Sequence, residues 1–227
     1  MDNGLSQRLQ ACLNLAAPYK IIADIGTDHA YLPCAGIKNN KLTKAIAADI
    51  GAGPLQSARH TVDRYGLHHE IELRLGPGLS VLQPGEVEAV VIAGMGGKLI
   101  ASILGADPLL TRSFPRLVLQ PNVDGVLVRK WLFSQGYEIL DEELILEDGK
   151  FYEVIAAQAA SEPVFYDELD AEFGPILRRR KDLPAFQEKW GRALSTTEKI
   201  LAGLPEGHPG RAVHEHRKAQ IKEAASL

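Results

Sequence analysis

The chain has 227 residues, 45% of them hydrophobic and 24% charged, with a formal net charge of −4 at neutral pH. That is material for one full α/β domain plus a smaller appendage, and no stretch approaches the ~20 apolar residues of a membrane span. Indiscriminate nucleic-acid binding is disfavoured by the overall charge, but the charge is uneven: residues 1–177 carry 14 Lys and Arg against 23 Asp and Glu, while residues 178–227 carry 11 against 6.

The second segment opens with Arg178, Arg179, Arg180 and Lys181, so the pattern reads as an acidic body with a basic attachment, or as a solvated helix face. Two cysteines, Cys12 and Cys34, offer neither a disulfide framework nor a zinc spacing. No metal is expected. The opening MDNGLSQRLQ lacks the charged-then-apolar pattern of a signal peptide, and a reducing cytoplasmic setting is expected.

In chain order, LSQRLQACLNLA spaces Leu5, Leu9, Cys12, Leu13 and Ala16 as a helix that Pro18 closes. Strand-like KIIADIG precedes a helix over 32–39. KAIAADI precedes the helical GPLQSARHTVDRYG, then come IELRLG and EAVVIAGMGG. A helix over 98–104 leads to RLVLQPN, and VLVRKWLFSQG reads as a helix ending at Gly136. Two last strands, YEILDEELILEDG and KFYEVIAAQ, meet at the turn signal Asp148-Gly149.

Continuous apolar strands separated by helices predict a doubly wound, mostly parallel sheet closed by an antiparallel pair. From about Pro163 the pattern becomes helical. Phe186, Ala193 and Ile200 recur every seven residues, with Trp190, Thr197 and Leu204 between them. PEGHPG then turns the chain into a second helix, predicting an antiparallel hairpin.

In an open α/β sheet, ligands lie at the carboxyl ends of the strands. The first such end, IIADIGTDHAYLP, keeps one glycine of a dinucleotide fingerprint, Gly26, and places Asp28 where bare backbone would cradle a phosphate. A diphosphate is therefore unwelcome. A ligand bearing a sulfonium and an ammonium suits Asp24 and Asp28, although both could simply cap the next turn.

Asp49 ends the second strand, where an acid can accept both ribose hydroxyls; it could equally cap the next helix. Gly76 and Gly78 suit an adenine edge or an ordinary turn. The glycines of AGMGG leave room beside Met95, and Asn122 of QPN could bond a base edge or start a turn.

Together LSQRL, IADIGTDHAYLP, AADI, RLGPGL, VIAGMGGKLI and LVLQPN closely resemble the bacterial tRNA (adenine-22-N1)-methyltransferases, with further likeness at FYEVI and FGPIL. The resemblance implies a Rossmann-like class I methyltransferase domain over 1–162 and a C-terminal α-helical coiled-coil hairpin over 163–227. It also implies an S-adenosyl-L-methionine cofactor and methylation of adenine N1 in the tRNA D-loop region. By position, Asp24, Gly26, Asp28 and His29 line the methionine end, Asp49 and Ile50 hold the ribose, Gly76 to Gly78 border the adenine, and Gly94 and Met95 lie beside the sulfur. The family usually has Asp where this chain has Pro77, so any side-chain or N–H contact there is lost.

Adenine N1 attacks through an uncharged lone pair, so alignment carries most of the catalysis and a carboxylate can stabilise the cationic product. Asp28 is the first candidate for that task, with Asn122 positioning the base; His29 and Tyr31 are secondary. Arg8, Arg178, Arg179, Arg180 and Lys181 are expected to contact tRNA phosphates. A monomer is the working expectation. The rivals are a small-molecule or protein methyltransferase on the same fold, a non-catalytic RNA-binding module, and a nicotinamide oxidoreductase.

Overall fold

The computed structural model describes residues 4–227; residues 1–3, the start of the expected catalytic domain, lie outside the described residues. The chain runs α1 (Gln7–Leu15), β1 (Ile21–Ile25), α2 (Tyr31–Lys38), β2 (Lys44–Asp49), α3 (Ala52–Tyr65), β3 (Ile71–Leu75) and a 3-10 turn over Gly78–Val81. There follow β4 (Ala89–Gly96), α4 (Gly97–Gly105), α5 (Pro108–Arg112), β5 (Arg116–Val123), α6 (Gly125–Ser134), β6 (Tyr137–Glu147) and β7 (Lys150–Ala159). The helices α7 (Glu168–Phe173), α8 (Pro175–Arg179), α9 (Pro184–Gly203) and α10 (Arg211–Ala225) complete it.

The strands form one sheet in the order β3-β2-β1-β4-β5-β7-β6. The first five are parallel, whereas β7 runs antiparallel to both β5 and β6. Asp148 (φ +50°) and Gly149 (φ +75°) make the β6–β7 turn left-handed at both positions, as a two-residue hairpin requires.

Alternate strand residues face opposite layers. Ile22, Ala89, Val91 and Val118 pack with Ala11, Cys12 and Leu13 of α1. Their neighbours Ala23, Val90, Ile92 and Leu119 pack with Ile100, Leu104, Val128 and Leu132 of α4 and α6. Both faces are therefore covered, and the order reverses between β1 and β4. That is the ligand crevice of a doubly wound sheet.

A third core joins Phe173, Leu177, Phe186, Trp190, Ile221 and Ala224, with Leu144 of β6 packed against it. The heptad expectation needs correcting here. Along α9 the buried stripe runs Phe186, Trp190, Thr197 and Leu201, and Ile200 is 39% exposed. A straight helix repeats every 3.6 residues, so the stripe drifts off a strict seven-residue repeat and selects Leu201 over Ile200. Leu204 lies beyond the helix as its C-cap. Besides that apolar core, polar contacts tie the hairpin: Arg211 donates to the Leu201 and Leu204 carbonyls at 3.2 and 3.0 Å, and Lys218 pairs with Glu198 at 2.7 Å.

Candidate active site

The first strand-end loop is shaped by backbone that most residues avoid. Gly26 (φ +78°), Asp28 (φ +42°) and Ala30 (φ +54°) are all left-handed, and such positions in non-glycine residues cost on the order of 1–3 kcal/mol each. A Cβ on Gly26 would sit 2.1 Å from Met95 Cε, so the glycine is required by its neighbour on β4 as well as by its φ. The Gly26 and Thr27 N–H groups both donate to the Ala48 carbonyl, at 2.8 and 3.0 Å, tying this loop to the end of β2.

Asp24 is buried, and its Oδ2 accepts from the Thr27 hydroxyl at 2.7 Å. Burial outweighs that hydrogen bond, with the Asp49 charge adding to it, and pushes the Asp24 carboxyl up to about 6. Asp28 is largely exposed and lies 3.5 Å from His29 Nε2, while the His29 ring stacks on Tyr31 with centroids 5.0 Å apart. The His29 side chain is 42% exposed, so it is not a buried structural histidine. Helix α2 starts at Ala30 without a side-chain cap, leaving its first N–H groups for another acceptor.

A cavity of about 300 Å³ brings Asp24, Gly26, Asp28, His29 and Gly94 together with Arg8 and Tyr31. The next strand ends continue the row. Asp49 Oδ1 accepts from Gly51 N–H at 2.7 Å, which fixes the carboxylate and leaves Oδ2 for a ligand. Ile50 is 74% exposed beside it. Gly76 donates to the Asp49 carbonyl at 3.0 Å, so the third strand end abuts the second. Pro77 is extended and caps the 3-10 turn that Gly78 (φ +54°) begins; the proline carbonyl accepts from the Ser80 hydroxyl at 2.7 Å.

Sequence reasoning missed Gln120, fully buried on β5. Its Oε1 accepts from Arg8 Nη1 at 2.9 Å and from Gly94 N–H at 3.0 Å, and its Nε2 donates to Asn122 Oδ1 at 3.2 Å. Asn122 Nδ2 returns to the Gly94 carbonyl at 2.8 Å. Arg8 also lies over the Tyr152 ring, 5.6 Å from its centroid. Arg8, expected to serve tRNA phosphates, has its guanidinium at the cavity of Asp24, where Gln120 holds it. A glutamine inside an otherwise apolar strand was the signal available.

Asn122 borders a second cavity of about 390 Å³, walled by Phe151, Glu153, Lys189, Trp190 and Arg217. Beneath it lies a buried ion cluster that the sequence did not advertise. Arg129 meets Glu142 at 2.7 Å and Glu153 at 2.9 Å, and Glu153 also binds Lys189 of α9. Burial pushes the Glu153 carboxyl up, but Arg129 and Lys189 overcome it and hold the group at about 2. Glu142 Oε2 accepts from the Ile176 and Leu177 N–H groups at 2.9 and 3.3 Å, fastening α8 to β6. Gly125 and Gly174 leave room for the cluster; a Cβ there would lie 2.5 Å from Glu153 and 2.6 Å from Glu142.

The basic run lies beside β6, apart from the row of strand ends. Arg178 is held by Asp167 and Asp170 at 2.7 and 2.5 Å, Arg180 by Asp141 at 2.8 Å, and Lys181 donates to Ser226 Oγ at 2.6 Å. Arg179 is exposed. No group of three or more His, Cys, Asp or Glu able to hold a metal ion occurs among the described residues, and none of their helices is long and apolar enough to cross a membrane.

Two carboxylates and an arginine around one cavity suit a zwitterionic amino-acid end. The Asp49 carboxylate lies one strand away, and an exposed carboxamide stands at the border of the second cavity. Comparisons with known proteins identify the family. The family model for tRNA (adenine(22)-N(1))-methyltransferase matches residues 22–226. A Bacillus subtilis protein described by the same words is 40% identical over 225 residues, covering 97% of this chain and 92% of that one. The crystal structure of the Bacillus subtilis M1A22 tRNA methyltransferase TrmK aligns at 36% identity with a TM-score of 0.86, covering 99% of this chain and all of that one. Streptococcus pneumoniae Sp1610 in complex with S-adenosyl-L-methionine aligns at 34% identity and a TM-score of 0.88, covering 97% and 99% of the two chains.

Proposed function

Because the chain belongs to the tRNA (adenine(22)-N(1))-methyltransferase family, we propose that the row from Arg8 to Asn122 is its catalytic site, with each residue assigned as follows. The enzyme is an S-adenosyl-L-methionine-dependent tRNA (adenine-N1)-methyltransferase. The observation that carries the assignment is the acidic, phosphate-hostile cavity at the point where strand order reverses.

That cavity fits the cofactor on its own chemistry. Asp24 is a buried carboxylate held well above its usual range until a cation arrives, and Asp28 stands near it. Arg8 and the uncapped start of α2 offer positive partners to a carboxylate. Asp49 Oδ2 is available to ribose hydroxyls, with the exposed Ile50 beside it on the ribose. Gly76 and Gly78 border the adenine, Pro77 contributing only its carbonyl side. When bound, the cofactor supplies a methyl group on a cationic sulfur.

The residues themselves bind, orient and compensate charge. Gly26 and Gly94 allow close approach of the main chain, Met95 packs over Gly26, and His29 with Tyr31 walls the cavity. Asn122 positions the target adenine, whose N1 carries a lone pair and needs no base to expose it. Asp28 faces the positive charge that develops on the ring. If so, Asp28→Asn lowers kcat while the affinity for S-adenosylhomocysteine by calorimetry stays within a few-fold; equal losses in both would confine Asp28 to binding.

An adenine attacked at its Watson–Crick edge must be unpaired or flipped, at a cost of a few kcal/mol, so contacts outside the pocket hold the tRNA. Arg179, Arg180 and Lys181 take the phosphates in this reading. Arg178 is reassigned to fixing α8 through Asp167 and Asp170. Residues 1–162 then form the catalytic domain and 163–227 the RNA-holding helices of a monomeric, cytoplasmic enzyme. Incubation with unmodified tRNA and S-adenosyl-L-methionine, followed by nucleoside mass spectrometry, should yield 1-methyladenosine at position 22. Methylation of small amines or proteins in place of tRNA would overturn the reading.

A further inference from the structure

An exposed asparagine beside a base pocket can present either its oxygen or its nitrogen, and the two choices select different bases. In this protein the choice is forced by neighbours whose polarity is unambiguous. Arg8 Nη1 and Gly94 N–H can only donate, so the Gln120 atom that receives both, at 2.9 and 3.0 Å, must be its oxygen. Gln120 Nε2 therefore points at Asn122, whose facing atom must accept at 3.2 Å and is Oδ1. Asn122 Nδ2 is then left to the Gly94 carbonyl, which can only accept, at 2.8 Å. Both ends of the relay agree on one orientation. Gln120 is fully buried on β5 and Arg8 is anchored on α1, so the relay is fixed before any base arrives.

We propose that Gln120 is a positioning residue that turns the Asn122 carboxamide so that an oxygen lone pair meets the acceptor base, making the exocyclic amine of adenine the feature recognised. This rests on the assignment of Asn122 to the base. Adenine donates through its exocyclic nitrogen, whereas guanine presents an oxygen at that position and would meet Oδ1 lone pair to lone pair. The relay also joins the two cavities. Arg8 and Gly94 line the first and Asn122 the second, so one buried amide aligns the donor side and the acceptor side.

The test is a cycle between Gln120→Glu and a tRNA carrying unsubstituted purine ribonucleoside at position 22, which keeps N1 and lacks the amine. A glutamate keeps the size and still accepts from Arg8 and Gly94, but it offers Asn122 only acceptors. The carboxamide must then turn its nitrogen inward and set its oxygen against the Gly94 carbonyl. Removing the amine changes the intrinsic nucleophilicity of N1 equally for every enzyme variant, so only the ratio of effects counts.

In the native enzyme, amine removal should lower kcat/KM about tenfold more than in Gln120→Glu, the worth of one hydrogen bond. Calorimetry with S-adenosylhomocysteine should show Gln120→Glu binding within a few-fold of native, which separates positioning from loss of fold. Asn122→Ala alters only an exposed side chain and should lose the same discrimination, so it serves if Gln120→Glu does not fold. Equal amine effects in native and variant enzymes, within twofold, would overturn the proposal. Failure of the native enzyme to methylate either tRNA would instead overturn the functional reading itself.

Discussion

Asp24→Asn should make the ligand-free protein more stable and the enzyme worse. The Asp24 carboxyl titrates at about 6, against an ordinary value of 3.8. A gap of about 2 pK units at 1.36 kcal/mol each is about 3 kcal/mol. Because the folded value is raised, the stability belonging to the neutral form is fully present below 3.8 and lost as pH rises through 6. At pH 7.5 the native protein therefore carries a buried charge that opposes its folding, and a neutral carboxamide removes it while keeping an oxygen for the Thr27 hydroxyl.

With 2–4 °C per kcal/mol for a chain of this size, the ligand-free variant should melt about 6–12 °C above the native protein at pH 7.5. The gap should shrink steadily as the buffer is taken below pH 6. Losing a charged hydrogen bond to an ammonium costs roughly 1.5–3 kcal/mol, so S-adenosylhomocysteine should bind about 10- to 150-fold more weakly. Scanning calorimetry and titration calorimetry on the same preparations decide both points. A variant that melts at or below the native temperature at pH 7.5, or binds the ligand equally well, refutes the electrostatic account.

Arg129→Met strands the fully buried Glu142 and deprives Glu153 of its main counter-charge, which should cost about 3–5 kcal/mol. Glu153 is depressed to about 2, so its contribution is present above its ordinary value of 4.5 and lost as pH falls toward 2; the native-to-variant gap in urea melts should narrow over that window. Gly97→Ala would put a Cβ 2.1 Å from the Asp124 carbonyl, a contact with backbone that cannot swing away. Its soluble yield and melting temperature should fall sharply, and a native-like melt would show that α4 and β5 can separate at no cost. Three phosphate contacts at 179–181 predict roughly 20-fold weaker tRNA binding between 50 and 200 mM salt, and charge removal at those positions should flatten the slope.

The strand-end acids were legible because their chemistry is local: Asp24, Asp28 and Asp49 each end or follow an apolar run, where ligands gather. The sheet was legible for the same reason, through runs such as IIADI and AVVIA. What escaped notice depends on distant partners. Arg8 reads as a surface cation on an amphipathic helix, and only folding sets it against Gln120, which lies 112 residues away. Arg129, Glu142 and Glu153 sit on three different elements, and nothing in the spacing of any one of them shows that they meet. The short helices α5, α7 and α8 span five or six residues, too few for a period to declare itself. Along α9 the heptad rule named Ile200, whereas the buried stripe follows the 3.6-residue period to Leu201.

Glu142 fastens a sheet strand to the backbone of α8 while neutralising a cation that touches no solvent. To swing the helices that follow, the protein would have to strand that carboxylate or drag β6 along, a barrier of several kcal/mol. Under the proposed assignment of residues 179–181 to tRNA phosphates, the basic run therefore acts as a fixed ruler. In that reading its offset from the cavity of Asp24 is set at folding, and accommodation during docking falls to the nucleic acid.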